Sequence, residues 1–155
     1  MNLLPAPGLP PAPAPEPSKW RWLLYGSAAA VAIASCRPWI CVRFTRLFGD
    51  HLGPPAWQGT AGFTCLTTAM LVAVLALAET GSARTQVAVR PASLLLVTIA
   101  ALLLLGEAFA GPGTLRGVSA MWTGAFYAAA VAVLLLLAAC GMRQRHSGRQ
   151  PATAD

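Results

Sequence analysis

The residues best suited to chemistry in this sequence lie together between Ser35 and Pro55. That segment, SCRPWICVRFTRLFGDHLGPP, holds two cysteines, three arginines, an aspartate and a histidine within an otherwise apolar chain. Guanidinium groups beside a thiol favour the thiolate, which is the nucleophilic and redox-active form of cysteine. Two interpretations follow: a reactive site, or a basic segment that lies against a membrane surface.

The reactive interpretation depends on Cys36 and Cys41, with Arg37 and Arg43 beside them. It describes a membrane thiol or quinone oxidoreductase, or a lipid-handling enzyme. The four cysteines form no CxxC motif and no Cys/His cluster with the spacing of metal ligands. The sequence also lacks a Ser-His-Asp set, a nucleotide-binding loop and a carboxylate pair. We therefore predict no catalytic residues, no metal and no cofactor, and keep the oxidoreductase as an alternative.

The composition indicates that lipid surrounds most of the chain. Hydrophobic residues make up 56% of the 155 residues and charged residues 10%, whereas soluble domains have about 25% charged residues. The net charge of +6 comes from basic residues in the connections and tails, where they meet anionic lipid headgroups. No soluble basic face is left for nucleic acid. The predicted partner is the bilayer itself.

Four apolar segments predict four membrane spans. A proline-rich tail, residues 1–18, precedes them and is predicted to be disordered, because it has no apolar periodicity. Residues 19–142 form the predicted four-span domain, and residues 143–155 a basic polar tail. The third and fourth spans have 19 and 23 residues, enough to cross a hydrocarbon core of about 30 Å at about 1.5 Å per residue. The spans are Trp20–Ile40, Ala56–Ala78, Ala92–Ala110 and Val118–Cys140.

The basic residues predict the orientation of these spans. If both termini are cytoplasmic, seven basic residues lie inside and four outside, which agrees with the positive-inside rule. We therefore predict a multi-pass protein with both termini in the cytoplasm. The inner residues are Lys19, Arg21, Arg84, Arg90, Arg143, Arg145 and Arg149; the outer residues are Arg37, Arg43, Arg46 and Arg116.

Small and hydroxyl residues recur every four positions in three spans, which favours close helix packing in lipid. The expected fold is all-α, an antiparallel four-helix bundle, with a homo-oligomer or a larger membrane complex as the possible assemblies. Span three is leucine-rich without such a ladder, so more of its surface is expected to face lipid. The ladders are Gly26, Ala30 and Ala34; Thr60, Thr64 and Thr68; and Ala120, Gly124, Ala128 and Ala132.

The opening segment fits this fold as a short interfacial amphipathic helix after the first span. Pro38 is expected to end the first helix. A helical wheel then places Ile40, Phe44, Leu47 and Phe48 on one side and Arg43 and Arg46 on the other. We predict that Arg37, Arg43 and Arg46 contact lipid headgroups or, together with His51, another anion.

Glu107 is the only acidic residue within a predicted span. An ionisable residue in a membrane is a functional candidate by default. Its position near the span end favours a structural ion pair with Arg116 or with an arginine of the outer segment. The alternative is proton or ion coupling in a small transporter subunit.

Two cysteines raise the question of lipid attachment. Cys140 lies at the inner boundary beside Arg143 and Arg145 and is a candidate for S-palmitoylation. The residues IASC, Ile33 to Cys36, match the small-residue pattern of a lipoprotein cleavage box, and processing there would leave three spans. Ordinary cysteines at span ends are the alternative in both cases.

The layout resembles the MARVEL tetraspan family. The shared features are a proline-rich inner tail, four spans in about 150 residues with both termini inside, WQG at residues 57–59, GEAFA at residues 106–110 and Arg143 after the last span. The arginine-rich segment, residues 37–48, has no counterpart there. The resemblance implies membrane organisation or trafficking rather than catalysis. The expected function is therefore that of a small non-enzymatic tetraspan protein that organises membrane or assists a membrane complex.

Overall fold

The computed structural model describes residues 19–44, 49–78, 83–115 and 118–147. Four α-helices account for most of them, and a small antiparallel sheet joins the segments between helices. The helices are α1 (Lys19–Ser35), α2 (Thr60–Ala78), α3 (Ala83–Ala110) and α4 (Gly124–Ser147), with a 3₁₀ turn at Ala56–Gln58 before α2. The strands are β1 (Ile40–Phe44), β2 (Gly49–Leu52), β3 (Thr114–Leu115) and β4 (Val118–Trp122).

Three of the helices are long and apolar enough to cross a membrane. They are α2, the part of α3 from Val89 to Ala110, and α4 from Gly124 to Arg145. Most of their exposed large side chains are leucine, isoleucine, valine, methionine or aromatic. The chain thus has the features of a multi-pass membrane protein.

Alanine is the main residue of the helix contacts. The helix α1 packs against α4 and α2, while α3 packs against α2 and α4. Small side chains bring helix backbones close together, as expected where burial of leucine against lipid gives little gain. The buried helix alanines are Ala28, Ala34, Ala61, Ala69, Ala76, Ala100, Ala129, Ala132 and Ala139.

The predicted ladders correctly indicate that small residues form the helix contacts, but they identify only some of the residues that lie in those contacts. Ala34, Thr68 and Ala132 are buried, whereas Gly26 and Ala128 are exposed. The contact face of α1 is instead formed by Leu24, Ala28 and Val31. Helix α3 is less buried than its neighbours, as expected: 22% of its apolar segment is buried, against 39% for both α2 and α4. That its exposed surface faces lipid stays a prediction.

The sheet contradicts the all-α prediction. Its strand order is β2-β1-β4-β3, with every neighbouring pair antiparallel. The central pair joins β1, from the connection after α1, to β4, from the connection after α3. Ile40 faces Trp122 and Phe44 faces Val118 across this pair. Pairing between segments so distant in sequence leaves no local periodic signal, which is why the sheet was not predicted.

The predicted interfacial helix is wrong for residues 40–44, which form a strand. Residues 49–52, which follow the predicted helix, form a second strand. Residues 40–44, ICVRF, are rich in β-branched and aromatic side chains that suit a strand. Gly49 has a φ of +67°, a left-handed conformation that glycine adopts without steric cost. Arg46, Leu47 and Phe48 lie outside the described residues.

The predicted span limits shift at the sheet end, which we define as the end of the helices where α1 ends and α2 begins. Helix α1 ends at Ser35 rather than near Ile40, and α2 begins at Thr60 rather than Ala56. Val118 to Trp122, expected to open the fourth span, form β4 instead. At the opposite end, α4 continues to Ser147.

Candidate functional site

Backbone hydrogen bonds tie the two sheet-forming connections together where they meet the helices. The Thr123 amide donates to the carbonyl oxygen of Trp39 at 2.8 Å, and the Thr123 hydroxyl donates to that of Pro38 at 2.6 Å. The Ala56 amide donates to the carbonyl oxygen of Arg37 at 3.0 Å. The end of α1 and the starts of α2 and α4 are therefore fixed relative to one another.

An aromatic cluster fills the space beneath this junction. Trp39 is 6% exposed, and its indole N–H donates to the carbonyl oxygen of Ala34 at 3.0 Å. The Trp39 ring meets Phe126 edge to face, with 5.5 Å between centroids. Trp122 stacks on Phe126 with 4.1 Å between centroids. These contacts hold both indoles in fixed positions beside the first turn of α2.

A cavity of about 140 Å³ lies between these indoles, the start of α2 and the end of α3. Its walls are almost entirely apolar, and Glu107 is the only charged residue among the described residues that line it. The lining residues are Trp39, Ile40, Pro54, Pro55, Ala56, Gly59, Thr60, Ala61, Gly62, Glu107 and Trp122.

Gly62 determines how closely α2 approaches the 3₁₀ turn on one side of this cavity. A Cβ atom at Gly62 would overlap the carbonyl oxygen of Ala56 and lie 2.9 Å from the Ala56 Cβ. The Ala56 carbonyl is held in place because it accepts the Gly59 amide at 2.9 Å. Glycine is therefore required at position 62 for this wall of the cavity to form.

Glu107 lies at the exposed rim of the cavity. Its predicted ion pair with an arginine of the outer segment does not form with Arg37 or Arg43, since the ion pair found among the described residues joins Arg43 to Asp50. Arg116, the other predicted partner, lies outside the described residues. Among the described residues, Glu107 thus has no ion-pair partner, and it lies where a molecule in the cavity can reach it.

The arginines proposed to contact headgroups have different environments. Arg43 makes a two-point contact with Asp50, Nε to Oδ1 at 2.8 Å and Nη2 to Oδ2 at 3.0 Å. These hydrogen bonds lower the pKa of the Asp50 carboxyl and raise the pKa of Arg43. Arg37 is exposed after the end of α1. Arg43 thus has a carboxylate partner within the sheet, whereas the side chain of Arg37 lies exposed on the protein surface.

The cysteines of the reactive interpretation are both free thiols. Cys36 is exposed just after α1, and Cys41 is half-buried in β1. Cys140, the candidate for palmitoylation, is 2% exposed. An acyl chain on Cys140 would require α4 to move away from its neighbours. Ile33 to Ser35, of the predicted cleavage box, form the last turn of α1.

Arg143 is a buried arginine, whereas the sequence predicts it in the basic tail after the last span. It is 2% exposed on α4, and its guanidinium carbon lies 5.5 Å from the centroid of the Trp20 ring on α1. Buried Leu136, Ala139 and Cys140 lie on one face of α4. The same helical spacing places position 143 on that face, so this burial could have been predicted. The contact joins the first and last helices at the end opposite the sheet.

No family model matches this chain, and neither a curated protein nor a solved structure is significantly similar to it. The resemblance to MARVEL tetraspan proteins therefore stays a prediction. Within residues 19–44, 49–78, 83–115 and 118–147, no group of three or more His, Cys, Asp or Glu side chains is arranged to hold a metal ion.

Proposed function

We propose that this chain is a non-enzymatic, four-span membrane protein that assembles with a partner protein through its sheet. In this proposal the helices form an antiparallel bundle with both termini in the cytoplasm and the sheet on the other side. The protein organises membrane, or assists a membrane complex or trafficking step, as the MARVEL resemblance implies. The contact between bilayer and protein includes anionic headgroups near the basic residues.

The packing of α1 supports a fourth span. This helix has 17 residues, a length of about 25 Å at about 1.5 Å per residue. It packs against α2 and α4, both of which are long enough to cross a membrane. A helix packed against two membrane-spanning helices lies in the same part of the bilayer as they do. Ile33, which is 65% exposed, then faces lipid.

The observation that carries the assembly proposal is an apolar row across the exposed face of the sheet. In β1, Cys41 lies between Leu52 of β2 and Met121 of β4. Leu52 is 69% exposed and Met121 is 42% exposed. Contiguous exposed apolar side chains mark sites of interaction with protein or membrane, and the proposal assigns this row to a protein partner. Hydrogen bonds from both connections hold this row rigid, so little ordering is needed on binding.

The test compares charge substitutions on this sheet face. Leu52→Glu and Met121→Glu place a carboxylate in the apolar row, whereas Ser119→Glu places one on the same face of β4 beside Arg43. Complexes are crosslinked in native membranes and sized after extraction in a mild detergent, with a tagged second copy to detect self-association. We expect the first two variants to lose the complex and Ser119→Glu to keep it. A partner-free monomer with enzymatic turnover would contradict the proposal.

The cavity beside Glu107 favours a second candidate, a small transporter subunit in which this carboxylate contacts the transported species. Loss of flux in Glu107→Gln, with the complex intact, supports that role. Unchanged flux removes it.

The thiol oxidoreductase stays a separate prediction. The variant Cys36→Ala with Cys41→Ala tests it, because an unchanged phenotype excludes chemistry at either sulfur.

A further inference from the structure

We propose that the cavity between Trp39, Trp122 and Glu107 binds an alkylammonium group of the size found in choline or ethanolamine. The site is separate from the apolar row of the sheet and from the assembly function proposed for it. It combines a carboxylate, two indoles and a small volume. The carboxylate favours a cation, the indoles favour an organic cation, and the volume limits the size of the ligand.

Charge selects a cation. Among the described residues, Glu107 is the only charged residue that lines the cavity, and no basic side chain in that part of the chain is within ion-pair distance of its carboxylate. A carboxylate beside apolar, low-dielectric walls attracts a cation more strongly than a carboxylate surrounded by water does. An ammonium group at the rim therefore satisfies Glu107 while its methyl or methylene groups enter the cavity.

The aromatic lining selects an organic cation over a metal ion. Quaternary and substituted ammonium groups are recognised by indole rings, because the ring quadrupole attracts the positive charge and the alkyl groups fill apolar space. Trp39 is fixed by its hydrogen bond to Ala34, and Trp122 is fixed by its stacking on Phe126. The rings are thus positioned before a ligand arrives. A small inorganic cation would leave the apolar walls without contact.

Volume limits the ligand to a small group. An apolar cavity of about 150 Å³ accommodates benzene, so the 140 Å³ here suits about six non-hydrogen atoms. A trimethylammonium or ethanolammonium head has this size. A larger drug-like molecule does not, because its sites are typically about 300 Å³ or more.

The first turn of α2 adds a preference for an oxygen atom near the ammonium. Thr60, Ala61 and Gly62 line the cavity and are the first residues of α2, where amide N–H groups have no acceptor within the helix. These groups carry partial positive charge. They suit a hydroxyl or phosphoester oxygen two carbons from the nitrogen, as in choline, ethanolamine and their phospholipids.

The binding test titrates the full-length protein in a nonionic maltoside detergent with choline and follows tryptophan fluorescence. The matched control ligand is 3,3-dimethylbutan-1-ol, which has the shape and hydroxyl of choline but no charge. We expect saturable binding of choline, at least tenfold weaker binding of the neutral analogue, and a comparable loss of choline binding in Glu107→Gln and in Trp122→Leu. Equal binding of both ligands, or choline binding unchanged in Glu107→Gln, would overturn the proposal.

A second arm distinguishes a lipid headgroup from a free ammonium compound. The protein is placed in nanodiscs of phosphatidylglycerol alone or with added phosphatidylcholine or phosphatidylethanolamine. If a lipid occupies the site, the zwitterionic lipids compete with soluble choline; if they do not compete, the ligand is a free compound. Circular dichroism of each variant checks that it folds, and Glu107→Asp, which keeps the charge, should retain part of the affinity. Choline binding in neither detergent nor phosphatidylglycerol nanodiscs contradicts the site itself.

Discussion

Replacement of Gly62 by alanine is the perturbation that probes the cavity wall most sharply. The added Cβ would overlap the carbonyl oxygen of Ala56 and lie 2.9 Å from the Ala56 Cβ, where carbon atoms normally lie about 3.5–4.0 Å apart. Ala56 cannot shift freely, because its amide donates to Arg37 at 3.0 Å and its carbonyl accepts from Gly59 at 2.9 Å. Relief of the overlap therefore breaks backbone hydrogen bonds.

The expected size of this effect follows from two opposing terms. Exchange of glycine for alanine within a helix stabilises by about 0.5–1 kcal/mol, whereas overpacking costs about 1–3 kcal/mol and each lost hydrogen bond about 1 kcal/mol. Gly62→Ala should lower the free energy of unfolding by about 1–3 kcal/mol. The control is Gly26→Ala, because nothing lies within 4 Å of a Cβ at Gly26. That variant should be neutral or slightly more stable.

The assay is equilibrium unfolding in mixed micelles of maltoside detergent and dodecyl sulfate, followed by tryptophan fluorescence. Gly62→Ala should lower the dodecyl sulfate fraction at the unfolding midpoint. Gly26→Ala should raise it slightly or leave it unchanged. If Gly62→Ala is as stable as Gly26→Ala, then α2 does not approach the 3₁₀ turn as closely as described, and this wall of the cavity is not formed as described.

Three further outcomes follow from contacts elsewhere. Thr123→Val keeps the side-chain shape but removes the hydroxyl that joins the two connections, so the free energy of unfolding should fall by about 1 kcal/mol. The Asp50 carboxyl should titrate below its unperturbed pKa of about 3.9 and return toward it in Arg43→Gln, as measured by carboxyl NMR, because the Arg43 hydrogen bond lowers that pKa. A double-mutant cycle of Trp20→Ala and Arg143→Met should give a coupling of about 0.5–2 kcal/mol.

Two of these predictions have a matched control. Thr98→Val removes a hydroxyl that bonds only to Leu94 in its own helix, so the loss of stability should be smaller than for Thr123→Val. Trp22 is 72% exposed, and Trp22→Ala should show no coupling to Arg143. Coupling of equal size at both tryptophans would contradict the ring contact across α1 and α4.

The acid sensitivity of the Arg43 and Asp50 pair has a defined sign. Because the folded-state pKa of Asp50 is lowered, the pair stabilises the folded sheet above the unfolded pKa of about 3.9. This contribution is lost as the pH falls below that value through the lower folded-state pKa. Asp50→Asn should remove this part of the acid dependence while the other carboxylates keep theirs. The same acid dependence in Asp50→Asn and in the parent would show that the pair does not link protonation to folding.

The spans were predictable because they depend on local composition, whereas the sheet was not. Leucine- and alanine-rich segments identify α2, α3 and α4 without knowledge of their neighbours. The strand at Val118 to Trp122 was assigned to the fourth span, because its apolar residues satisfy a hydropathy window equally well. Only its pairing with Ile40 to Phe44 defines it as a strand. That partner strand is distant in sequence, and the pairing of two distant segments cannot be inferred from a single sequence.

The candidate site was predictable in part for the same reason. Glu107 was identified because an acid within an apolar span is conspicuous, but its expected partners were arginines rather than a cavity. Trp39 precedes β1 and Trp122 ends β4, and it is the pairing of these strands that brings both indoles to the cavity. The sequence alone therefore could not place them beside Glu107. The pairing of Arg43 with Asp50 across neighbouring strands was not predicted, and the contact of Arg43 with headgroups stays a prediction.

The most direct test of the four-span arrangement is thiol labelling from one side of sealed membrane vesicles. The native Cys36 is exposed just beyond the sheet end of α1, and Arg21→Cys or Arg145→Cys, each in a cysteine-free background, reports the opposite end of α1 or α4. With an impermeant maleimide, Cys36 should react from one face, and both introduced thiols only from the other. Labelling of Arg21→Cys from the same face as Cys36 would mean that α1 does not cross, and would contradict the account.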